Sequence, residues 1–84
     1  MKLEVGDEFK VDDVYDSVVE KTELYVINEI IKKDNKVKVF NKTKKQNETF
    51  LLEKDEKFRK SLVSLFKKSK DITSGYKFEL LKNI

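Results

Sequence analysis

Cysteine and histidine are both absent from this chain of 84 residues. Without cysteine there is neither a disulfide framework nor a thiolate metal site, and redox usage gives no clue to compartment. The missing histidine removes the commonest metal ligand and the usual general base near neutral pH. It also removes any Ser-His or Cys-His nucleophile pair. Proline is absent and glycine occurs twice, at Gly6 and Gly75, so no flexible linker divides the chain and no glycine-rich loop can cradle a phosphate. Arginine occurs once, at Arg59, which disfavours bidentate reading of guanine in a DNA groove. No apolar run is long enough for a signal peptide or a membrane span, so a cytoplasmic protein with no membrane partner is expected.

What the chain does contain is charge, sorted along its length. Charged residues are 42% of the sequence and apolar ones 38%. Residues 1–31 carry a net of −6, residues 32–45 a net of +6 and residues 46–84 a net of +3. Nine aromatic residues, spread from Phe9 to Phe78, set the chain apart from disordered sequences. One small domain over residues 1–84 is expected, with a core able to supply only a few kcal/mol of net stability.

The clearest local element is a hairpin. Leu24–Ile31 is dense in β-branched and aromatic residues, Lys32-Lys33-Asp34-Asn35 breaks the run, and Lys36–Asn41 returns with alternation. That alternation places Val37 and Val39 on one face, with Lys36, Lys38 and Phe40 on the other. Thr49–Leu52 reads as a short, mostly buried strand. Phe58, Leu62, Leu65 and Phe66 then fall at helical spacing, predicting a helix over about 55–70 with Asp55 as N-cap and lysines at its end. Tyr76, Phe78 and Leu80 alternate as a closing strand facing inward. Nearer the start, Leu3 and Val5 alternate, Gly6-Asp7 suits a turn, and Phe9 and Val11 alternate again. Residues 12–22 are read mainly as a loop, because β-branching and helical spacing conflict there.

The resulting fold class is mainly β or α+β: a small twisted five-stranded sheet with one helix inserted before the last strand. The Gly-Asp-x-Phe start, the Tyr-x-Ile-x-x-Ile strand and the alternating strand after it, over roughly residues 5–41, resemble an SH3-like small barrel. That resemblance implies a fold and no particular activity.

Carboxylates are the only enzymatic material. Glu53, Asp55 and Glu56 have the residue types of a Mg²⁺ site, but their spacing is that of a helix start, where acids are expected for capping. Neither catalysis, nor a cofactor, nor a metal is expected. Function is then expected to lie in binding. A non-enzymatic protein-interaction module, a small regulator, adaptor or inhibitor of phage or mobile-element type, would use an acidic surface of Asp7, Glu8, Asp12, Asp13 and Asp16 to meet another protein, such as one that handles nucleic acid. The alternative is a non-specific nucleic-acid binder, with Lys33, Lys36, Lys38, Lys42, Lys44 and Lys45 tracking phosphates and Phe40 stacking on a base. Both depend on whether the acidic and basic segments neutralise each other in the fold.

Overall fold

In a computed structural model of the chain, residues 3–51, 66, 67, 69 and 72–81 are described. They form five antiparallel strands: β1 (Glu8–Tyr15), β2 (Val18–Ile31), β3 (Lys36–Asn41), β4 (Gln46–Leu51) and β5 (Gly75–Leu80). The order across the sheet is β4-β3-β2-β1-β5. The chain therefore meanders through four strands and then crosses to place the fifth beside the first.

The sheet is strongly curled. In a flat sheet, four strand spacings of about 4.8 Å would hold the edge strands roughly 19 Å apart. Instead, Phe50 on β4 and Phe78 on β5 meet with ring centroids 6.1 Å apart. The concave face so formed holds the core. Phe9 stacks on its cross-strand partner Tyr25 at 5.1 Å, and Phe66 sets its edge against Phe9 at 5.7 Å. Below these rings lie Val11, Ile27, Val37 and Val39. The twisted five-stranded sheet of small-barrel type expected from the sequence is the architecture found.

Two bulges keep side chains in phase with that core. Ile27 pairs with Val39 while Glu29 pairs with Lys38, so Asn28 is the extra residue. Its insertion lets Tyr25, Ile27 and Ile30 all face inward. A second bulge falls where Asp13 pairs with Lys21 and Val14 with Val19, leaving Glu20 unpaired.

The expected hairpin is found, with a 3-10 turn at Lys32–Asp34 and Asn35 in the left-handed region at φ 50°. Three expectations are corrected. Residues 12–22 are not a loop but the tip of a β1–β2 hairpin, closed by Asp16 and Ser17 with φ of 48° and 64°. Positive φ at both positions of a two-residue loop marks a type I′ turn, whose twist matches the flanking strands. The strand expected at Thr49–Leu52 is β4, which starts at Gln46, three residues earlier, and as an edge strand is largely exposed, Leu51 at 73%. Tyr76 shares the concave face with Phe78 but sits at its rim, 64% exposed. Of the expected helix, Phe66 and Lys67 are helical; the remainder, with Glu53, Asp55, Glu56 and Arg59, lies outside the described residues.

Candidate binding site at the open end of the sheet

The concave face changes character along its length. At one end it is packed with rings; towards the β1–β2 tip it opens into a cavity of about 300 Å³. Val11, Tyr25, Phe50 and Phe78 form its floor. Asp13, Lys21, Glu23, Lys44 and Glu48 stand around it, with Tyr76 at the rim. Strand alternation explains the grouping. Asp13 pairs with Lys21 on β2 and Tyr76 on β5, and Val11 pairs with Glu23, so these residues share one face of three adjacent strands.

Asn41, with 0% exposure, organises the polar wall. Its side-chain oxygen accepts the backbone N–H of Thr43 at 3.1 Å and of Lys44 at 2.9 Å, which folds the β3–β4 turn back on itself. Its amide nitrogen donates to Glu48 at 2.6 Å and to Glu23 at 3.2 Å. Both amide donors and both acceptor positions are thus occupied, as a buried amide requires. The same turn is pinned to β2, where Thr43 Oγ1 accepts from the Leu24 N–H at 2.9 Å and the Lys42 N–H donates to the Leu24 carbonyl at 2.7 Å.

Glu23 is the hub. Its Oε2 accepts the Tyr25 hydroxyl at 2.7 Å, and its Oε1 faces Lys21 and Lys44 at 3.1 and 3.3 Å. Oε1 is buried, and both ammonium groups stand within ion-pair distance of it. The Tyr25 hydrogen bond above all, with Lys21, Lys44 and Asn41 adding to it against the opposing effect of burial, brings the Glu23 carboxyl down to about 2. Burial first, and then the hydrogen bond to Glu23 and the nearby Glu48 charge, push the Tyr25 hydroxyl far up.

The five acids singled out in the sequence do not converge. Asp7 orders the turn before β1 by accepting the Glu4 N–H at 2.8 Å. Glu8 pairs with Lys42 at 2.7 Å. Asp12 is 5% exposed on the convex face, where it accepts the Thr22 hydroxyl at 2.6 Å. Asp13, one residue on, points to the concave face, and Asp16 sits in the hairpin turn. One contiguous acidic surface is therefore not formed by these residues.

The basic segment is partly neutralised by the acidic one. Lys42 meets Glu8, Lys44 meets Glu23, and Lys38 lies 3.7 Å from Glu29. Lys36, Lys38 and Phe40 share the convex face of β3, with Lys36 and Phe40 half-buried. Lys33, Lys36 and Lys45 form no ion pair among the described residues. Lys36 and Lys45 stand at opposite ends of β3, separated by about 17 Å of strand. Among the described residues no group of three or more Asp or Glu could hold a metal ion, and no helix is long and apolar enough to cross a membrane.

Sequence reasoning missed the hub of Glu23, Tyr25, Asn41 and Glu48. Its one available signal was the alternation Lys21, Glu23, Tyr25 on the strand face opposite Leu24. Comparison with known families, curated proteins and solved structures returns no match to this chain.

Proposed function

We propose that this protein is a non-enzymatic interaction module, a small cytoplasmic regulator, adaptor or inhibitor, that meets a partner protein with the open end of its sheet. The observation that carries this reading is the combination of exposed apolar side chains with a charged cavity on one face. Tyr15 and Tyr76 are 68% and 64% exposed and Val18 is 61% exposed. Tyr15 pairs with Val18, and Tyr76 with Asp13, so all share the face onto which the cavity opens. Exposed aromatic side chains beside a pocket are the usual anchors of protein interfaces. The absence of histidine and cysteine supports binding over catalysis.

Site-specific photo-crosslinking in the source cells tests it. A crosslinker at Tyr15 or Tyr76 is expected to trap a discrete protein adduct that one at Lys33, at the far end of the sheet, does not. Equal labelling from all three positions, or none from the tyrosines, would remove the reading.

A second reading, weak nucleic-acid binding through the lysine hairpin, rests on Lys33, Lys36 and Lys45, which lack ion-pair partners among the described residues. Affinity for DNA would then fall with salt, with a log–log slope of about −0.9 for each phosphate neutralised. Changing Lys33, Lys36 and Lys45 to glutamate should abolish it. Absence of binding at low salt ends this alternative.

A further inference from the structure

We propose that the cavity at the open end of the sheet is a receptor for one arginine side chain presented by a partner protein. The inference rests on the interaction-module reading and specifies the chemistry of its central contact. Three carboxylates line the cavity against two ammonium groups. Lys21 and Lys44 both turn to Glu23, at 3.1 and 3.3 Å, rather than to Asp13 or Glu48, and the lining as a whole keeps a net negative charge. Asp13 and Glu48, on β1 and β4, have no cationic partner among the described residues. The space between them lies over an aromatic floor of Tyr25, Phe50 and Phe78, with Tyr76 at the rim.

That combination selects the occupant. Net negative charge disfavours a carboxylate or phosphate and favours a cation. Aromatic rings among the lining suit a cation, and a planar one best, because ring surfaces attract cations and stack with planar groups. Carboxylates on two different strands suit a group with several donors in a fixed plane. Guanidinium meets all three conditions and sheds water more readily than an ammonium ion. A volume of about 300 Å³ is at the small end of ligand sites and fits a side chain better than a larger cofactor. The exposed Tyr15 and Val18 beyond the rim would meet the surface from which that arginine projects.

Amide NMR shifts on titrating the intact protein with N-acetyl-arginine-methylamide provide the test, with the citrulline derivative as the uncharged isostere. Expected are saturating shifts at Asp13, Glu48 and Tyr76, with a dissociation constant on the order of 1 mM for so small a probe. Citrulline should bind at least roughly fivefold more weakly, as loss of a charge-assisted pair implies. Asp13→Asn should weaken the arginine probe without altering the fold, since Asp13 is exposed and makes no side-chain hydrogen bond among the described residues. Glu48→Gln, which keeps an oxygen for Asn41, should do the same. Equal binding of the two probes, an unchanged response in both variants, or no shifts would overturn the proposal. If crosslinking from Tyr15 still traps its partner after such a failure, the cavity assignment alone is wrong; if crosslinking also fails, the interaction reading falls with it.

Discussion

The two halves of β2 are one continuous strand with opposite characters. From Tyr25 to Ile31 it is scaffold: Tyr25 and Ile27 are buried at 4% and 1%, and Ile27 is bracketed by backbone hydrogen bonds from Gly6 and to Asp7. From Val18 to Leu24 every residue but Glu23 is exposed, including three large apolar ones. The first half is held in register chiefly by its ladder to β1 and by the docking of the tip onto Thr73 and Ser74. Among the described residues, the β2 side chains thus pack into the core at one end of the strand and stand exposed at the other, where they offer apolar surface to something else.

Substitution should separate the halves sharply. Ile27→Ala, in the packed half, is expected to cost about 2–5 kcal/mol, enough to bring a domain of this size near unfolding. Val18→Ser, in the exposed half, should stay within about 0.5 kcal/mol. Urea midpoints of the two variants measure the contrast, and similar losses would show the tip to be part of the core. Asn41 lies at the boundary. Asn41→Ala strands the acceptors of Glu23 and Glu48 and frees two backbone N–H groups, an expected loss of about 1–3 kcal/mol by denaturant titration.

A third test uses pH. Glu23 titrates near 2 in the folded protein against 4.5 ordinarily. A depressed carboxyl stabilises the fold above the unfolded value, and that stability drains away as pH falls from about 4.5 towards 2. Tyr25→Phe removes the largest cause of the depression, so its acid unfolding should begin at higher pH than in the parent. Glu23→Gln should remove this contribution to the acid dependence, read as a flatter curve of thermal midpoint against pH. The smallest effect is expected at the hairpin turn. Asp16→Asn with Ser17→Gly supplies the residues that a type I′ turn prefers and should add roughly 0.5 kcal/mol. Thr73 and Ser74 bond the backbone N–H groups of these two residues, which the variant keeps.

Where the sequence was legible, local and tertiary signals agreed. The β2–β3 turn carries Asp34-Asn35, and Val37 and Val39 alternate cleanly into the core. Residues 12–22 failed for stated reasons. Asp-Ser is a weak type I′ signal beside Asn-Gly, and the bulge at Glu20 breaks the period of two between Val19 and Lys21. The acidic residues looked like a cluster because they are near in sequence. Strand alternation sends Asp12 and Asp13 to opposite faces, and Glu8 is taken up by a lysine 34 residues away. The Glu23–Asn41 contact spans 18 residues and depends on a turn that Asn41 itself builds, so no local pattern announces it.

The meeting of Phe50 and Phe78 carries one more consequence. β4 and β5 are the outer strands of the sheet, so rings rather than a ladder bridge them. Among the described strands, separating β4 from β5 would therefore cost ring contacts and no ladder hydrogen bond, so the two outer strands are joined as by a seam rather than a weld.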